Sequence, residues 1–247
     1  MFNKYVSLSI PCNDSFKNIV AKYNQDEIEV LEGITELEHI GKIKKFNFNC
    51  RYVVLIPAED LLYRSLAIQP KNDFKISEQQ IFSQLNQNGI EFENEYYYDY
   101  LDNNPQSDQK SKEIKLFAAE KEQLDPLTAV LDKNRNNYLV SALPVVIYSV
   151  INGLRDEANF LLYYKFGGDY TVLLVENNYL ELVRSSIKKS ELKEELEKIK
   201  KYYLNVKKSK LSLLEGSSEL LDLDNFVNLK EDDFVFLSSL LWCVSRC

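Results

Sequence analysis

Period-two alternation opens the chain. Val6, Leu8 and Ile10 stand between polar neighbours, and apolar residues resume after Pro11 at Phe16, Ile19 and Ala21. Two strands joined by a turn at Cys12-Asn13-Asp14-Ser15 account for this pattern. Residues 34–45 lack a clean period and read as a short mixed stretch with helical character. The apolar run 52–56, stopped by Pro57, predicts a strand buried on both faces, as in a largely parallel sheet. Residues 58–135 then read strand, helix, strand, strand, helix. The first helix starts at Ser77, which has capping-box spacing to Gln80, buries Ile81 and Leu85, and stops at Gly89. The strand over 93–101 sets Tyr96, Tyr98 and Tyr100 on one side and Tyr97 on the other. A loop over 103–112, a strand over 114–119 and a helix over 122–133 follow, the helix aligning Leu124, Leu127 and Leu131 on one face.

Residues 139–154 are apolar around Pro144. Three strands come next, over 159–165, 170–176 and 179–185. Gly167-Gly168 bends the first pair, and Asn177-Asn178 is a two-residue hairpin joint for the second. The clearest helix runs over 190–207, with Leu192, Leu196, Ile199, Tyr203 and Val206 at helical spacing. A short strand over 210–214 and a helix over 232–246 end the chain. No repeat of 20–50 residues is present.

Charge narrows the function classes. The 247 residues carry a net charge of −8, with 28% charged and 45% hydrophobic residues, an ordinary globular composition. Phosphate neutralisation needs clustered Lys and Arg, so a nucleic-acid role is disfavoured. The lysines over 198–210 share their helix with Glu191, Glu194, Glu195 and Glu197 and read as a solvated face. Cys12, Cys50, Cys243 and Cys247 form no Cys-x-x-Cys pair, and His39 is the one histidine, so neither a zinc site nor a triad is supported. Free thiols in a reducing cytosol are expected. No apolar run reaches the ~18 residues that would span a bilayer, and the N-terminus lacks the form of a signal peptide.

One segment carries more. Residues 163–175, YYKFGGDYTVLLV, resemble the phosphate-binding hairpin of the actin-like ATPases, which reads roughly D-x-G-x-x-x-T. Gly167 and Thr171 match it, but Lys165 stands on the acidic position. Further resemblance is to the PilM/HofM proteins of type IV pilus assembly and, less closely, to the cytoplasmic domain of GspL from type II secretion. It rests on residues 53–66 (VVLIPAEDLLYRSL), 116–124 (LFAAEKEQL), the hairpin 170–184 with its following helix, and 210–218 (KLSLLEGSS). The last stands where family members carry a glycine-rich adenosine loop. The resemblance implies an α/β, actin-like (RNase H-like) two-domain fold with an inserted small α+β subdomain. Residues 1–153 form the first domain, with the insertion over about 62–135 and the helix of 226–247 packed on it. Residues 158–225 form the second.

The departures bear on chemistry. Setting Lys17 on the lysine of the family's first phosphate loop, D-x-G-x-x-x-x-K, puts Ile10 on its Asp and Cys12 on its Gly. Magnesium needs hard oxygen ligands, which Ile10 and Lys165 cannot supply, and the adenosine loop keeps one glycine, Gly216. Lys17 itself reads as a surface lysine. No catalytic residue, metal or cofactor is therefore expected. The resemblance implies a scaffold that binds the N-terminal cytoplasmic tail of an inner-membrane PilN-like protein, with the pilus motor ATPase as a further partner. Leu61, Tyr63 and Arg64 are the candidate peptide-binding residues, because they lie where the chain enters the insertion. Such a protein is cytoplasmic and reaches the inner membrane through its partner, its negative charge disfavouring direct docking on anionic lipid. A GspL-like secretion component and a drifted ATPase using Asp14, Asp60 or Asp169 are the alternatives.

Overall fold

Alternating apolar positions form strands that pair side by side in a computed structural model, which describes residues 4–24, 27–43, 50–69, 76–89, 95–102, 112–133, 137–207, 210–224, 226–227 and 233–245. β1 (Lys4–Cys12) turns through Asn13-Asp14 into antiparallel β2 (Ser15–Tyr23), followed by β3 (Ile28–Leu37) and β4 (Cys50–Ile56). A single 3-10 turn, Ala58–Asp60, leads to β5 (Leu62–Ile68), α1 (Glu78–Gln87), β6 (Tyr96–Asp102), β7 (Lys112–Glu120) and α2 (Lys121–Lys133). The rest comprises β8 (Asn137–Ala142), α3 (Leu143–Leu154), β9 (Phe160–Phe166), β10 (Asp169–Glu176), β11 (Tyr179–Ile187), α4 (Lys189–Lys207), β12 (Ser212–Glu215), β13 (Phe226–Val227) and α5 (Phe234–Ser245). The chain divides into two units, Met1–Glu59 with Ala129–Cys247, and Asp60–Thr128.

The larger unit holds two sheets. One is ordered β13-β3-β2-β1-β4-β8, with β4 parallel to both β1 and β8. That position explains the unbroken run Tyr52–Ile56: all five residues are buried because both faces of the strand are covered. The second sheet is ordered β11-β10-β9-β12. On one side α4 covers it, closing Leu196, Ile199 and Tyr203 over Leu161, Val172 and Leu174. The apolar helix α5 contacts β1 and β2 of the first sheet, β9 of the second, and α3. Its residues Phe234–Leu240 are all buried, so it needs no polar face.

The expectation of helical character over residues 34–45 needs correction. Residues 34–37 are strand, as the end of β3, and a 3-10 turn, Ile40–Lys42, follows. Register irregularities between β2 and β3 at Val20 break the alternation there, which is why no period showed. The apolar stretch around Pro144 is a strand followed by a helix. Pro144 lies in the first turn of α3, where a missing N–H costs nothing. The final helix starts at Phe234, because the Asp233 carboxylate accepts from the Val235 and Phe236 N–H groups and caps it. Residues 103–111 and Asp232 lie outside the described residues.

The smaller unit is a three-stranded antiparallel sheet, β5-β7-β6, carrying α1 on one face. Ile81 and Leu85 of α1 pack with Leu66, Ile68, Ile114 and Leu116, and Tyr96, Tyr98 and Tyr100 line the same cluster. Tyr97 points the other way, where its hydroxyl donates to Asp125 at 2.8 Å and Lys121 lies 5.4 Å from its ring. The Ser77–Gln80 capping box is present at the start of α1, and Gly89 after its end has φ of 73°.

Candidate functional site

Two tight turns face each other in the larger unit. At the tip of β1 and β2, Asn13 takes a left-handed conformation (φ 54°), and the Ser15 hydroxyl donates to the Cys12 carbonyl. At the tip of β9 and β10, Gly167 and Gly168 both have positive φ, 61° and 103°, which glycine adopts without strain. The turns are close enough for side chains to bridge them. A Cβ on Gly167 would lie 3.8 Å from Cys12 Sγ and 3.6 Å from the Glu59 carboxylate. Lys17 Nζ lies 5.7 Å from the centre of the Phe166 ring, within cation–π range. Lys17 is thus a bridging residue rather than a plain surface lysine.

Strand alternation decides which residues meet. Tyr164 and Phe166 are buried on one face of β9, while Lys165 is exposed on the opposite face. Ile10 is fully buried in the first sheet. Asp169 is held by Lys188 at 2.5 Å, Asp14 is exposed in the first turn, and Asp60 belongs to the other unit, where burial raises its carboxyl pKa. Among the described residues no three His, Cys, Asp or Glu side chains group as metal ligands.

Behind the turns the packing is tight. Gly216 donates its N–H to the Tyr163 carbonyl at 2.7 Å, and a Cβ there would fall 2.7 Å from Tyr164 Cβ and 2.8 Å from the Phe234 ring. The one glycine of the expected adenosine loop is therefore pressed against aromatic side chains. The Tyr164 hydroxyl is fully buried and accepts or donates no hydrogen bond of normal geometry. Burial drives its phenol pKa strongly upward, with Thr171 easing and Glu59 adding to the shift. Sequence reasoning missed Glu59, Phe166 and Tyr164. Only the strand phase of Tyr164 and Phe166 beside Gly167 could have indicated two of them.

The candidate peptide-binding residues lie in the smaller unit. Leu61 is half-buried just before β5, and the Tyr63 ring lies 5.1 Å from Phe117. Exposed Arg64 donates to the Tyr63 carbonyl at 2.8 Å. As consecutive strand residues, Tyr63 and Arg64 project to opposite faces of the sheet.

No family model matches the chain, and no curated protein matches it in sequence. Solved structures do match over nearly their full lengths. A Bacteroides thetaiotaomicron protein with an actin-like ATPase fold and unknown function superposes with a TM-score of 0.57 at 11% identity, covering 96% of each chain. The chain has the actin-like fold. The cytoplasmic domain of EpsL, an inner-membrane component of the type II secretion system of Vibrio cholerae, matches with a TM-score of 0.63 at 13% identity, over 99% of this chain and 95% of that one. A chain of the PilM-PilN type IV pilus biogenesis complex matches with 0.61 at 12% identity, over 96% and 97%.

Proposed function

We propose that this protein is a non-catalytic scaffold of a type IV pilus or type II secretion machine, and that it binds the cytoplasmic tail of a PilN-like inner-membrane protein. The observation that carries the reading is the side-chain bridge across the two turns. In an actin-like ATPase those turns would offer backbone N–H groups to phosphates, with an acidic residue holding magnesium. Here Cys12 occupies the glycine position, Lys165 replaces the acid and faces away, and the Glu59 carboxylate lies beside Gly167, where it repels an anion. These residues do not fit a magnesium-bound nucleotide. What remains is a frame of sheets and helices, and the partner-bound likeness is to PilM.

Such a frame works by presentation. A tail segment that orders on binding loses conformational freedom, so a micromolar Kd, about −8 kcal/mol, is expected. Titration calorimetry with the cytoplasmic tail of a PilN-like protein tests the reading directly. Saturable binding is expected, and Tyr63→Ala or Arg64→Ala should weaken it. Magnesium-ATP should leave the Tm unchanged, since a ligand that selects the native state must raise it. A Tm increase with nucleotide, and no binding of the tail, would favour the drifted ATPase instead.

A further inference from the structure

The C-terminal end of α4 is a ridge that packing does not explain. Among Lys201–Lys207 only Tyr203 is buried. Tyr202, Leu204 and Val206 are 62%, 54% and 54% exposed, the three most exposed large apolar residues among those described. Helix geometry sets Tyr202 and Val206 on one flank of the buried stripe and Leu204 on the other. Scattered exposed apolar residues are ordinary, but three within five positions form a patch.

Charge accompanies it. From Lys198 to Lys210 the sequence has six lysines and no acidic residue, in a chain whose net charge is −8. Lys198, Lys200 and Lys207 pair with Glu194, Glu197 and Glu176 at 2.8, 3.6 and 3.0 Å. The first two pairs lie largely in solvent and are weak, the third is partly buried at Glu176, and Lys201 and Lys210 have no acidic partner among the described residues. Lysines at a helix C-terminus complement its dipole, which explains the charge but not the apolar tips between them.

We propose that this ridge is a contact surface for an anionic lipid bilayer. Lysines flanking protruding Tyr, Leu and Val suit the headgroup region, where the cations meet lipid phosphates and the apolar tips enter the acyl boundary. An acidic peptide would need a groove, and a helix exposed on both flanks is convex. The charge of −8 on the whole chain, which by itself disfavours anionic lipid, matters less here than the groups near the ridge, because charges beyond about 8 Å are largely screened at physiological salt. The inference is independent of the tail-binding reading.

Co-sedimentation of the full chain with phosphatidylcholine vesicles, with and without about 30% phosphatidylserine, tests it. Binding is expected to the anionic vesicles alone and to fall as salt rises. Lys201→Glu/Lys210→Glu should weaken it at least about tenfold, and Tyr202→Ser/Leu204→Ser should weaken it at unchanged salt dependence. Lys4→Glu/Lys42→Glu, with the same net charge change, should bind as the natural chain does. All these side chains are exposed, so melting curves should coincide and exclude misfolding. Absence of binding, equal binding to neutral vesicles, or variants that bind undiminished would overturn the proposal. A ridge that meets an acidic protein instead would leave the vesicles unbound.

Discussion

At the scale of single residues, the closed space behind the two turns makes the sharpest expectations. Gly216→Ala places a methyl within 2.8 Å of Tyr164 and Phe234, both held in packed surroundings. Overpacking of this kind costs about 1–3 kcal/mol, to be read as a lower urea midpoint at unchanged m. Tyr164→Phe should leave stability unchanged or raise it, because it deletes a buried hydroxyl that makes no hydrogen bond of normal geometry. Cys50 supplies a pH test. Burial pushes its thiol from 9.0 up to about 11, against the opposing hydrogen bonds of the Tyr52 side chain and Ser7 backbone. The unfolded thiol ionises near 9.0 and the folded one only near 11, so the unfolded state binds fewer protons in that window. Stability must therefore fall as pH rises from 9 to 11. Cys50 is partly exposed, which reduces the size of the effect but not its sign. Urea midpoints of the natural chain and Cys50→Ala should diverge across that window, the natural chain losing more.

Elements of the chain stand or fall on their ends. α1 is ten residues long, too short to persist on propensity alone, and its start depends on the reciprocal bonds of Ser77 and Gln80. Ser77→Ala should cost about 1 kcal/mol, visible as a lower melting temperature, while Ser77→Asp should retain most of the stability. The Asn177-Asn178 joint works differently. Both residues have positive φ, 52° and 65°, which matches the right-handed twist of β10 and β11. The Tyr148 hydroxyl donates to the Asn178 carbonyl at 2.6 Å and the Asn159 side chain accepts from the Asn177 N–H at 2.8 Å, so the joint is held from outside as well.

For the molecule as a whole, the division into two units predicts separable stability. The smaller unit has its own core around Leu116, which is fully buried in β7. Leu116→Ala should cost about 2–5 kcal/mol, and amide exchange in β5, β6, β7 and α1 should speed at least tenfold. Protection at Val172–Val175 in β10 should be unchanged. Equal loss in both places would mean that the units unfold as one.

Much of this architecture is written locally. Period-two runs, the Asn-Asn and Gly-Gly turns, the capping box and the stripe of α4 each depend on neighbours within a few positions, and so they are legible along the chain. The absence of magnesium ligands at Ile10 and Lys165 is equally a property of residue type. Where regularity broke, as at the β2–β3 irregularity, the strand in residues 34–37 could not be read. The candidate site was hidden more thoroughly. Cys12, Lys17, Glu59, Phe166 and Gly167 come from three separate segments, and no period or spacing relates them. Only the joining of two sheets through α5, whose apolar residues demand burial between them, brings those side chains into contact. The sequence by itself determined the elements and the residue types at positions 10 and 165, an apolar Ile and a cationic Lys that offer no oxygen to a metal. That the protein fills the space between its turns with its own side chains was decided by the tertiary structure, because only packing sets the distance between residues far apart in the chain.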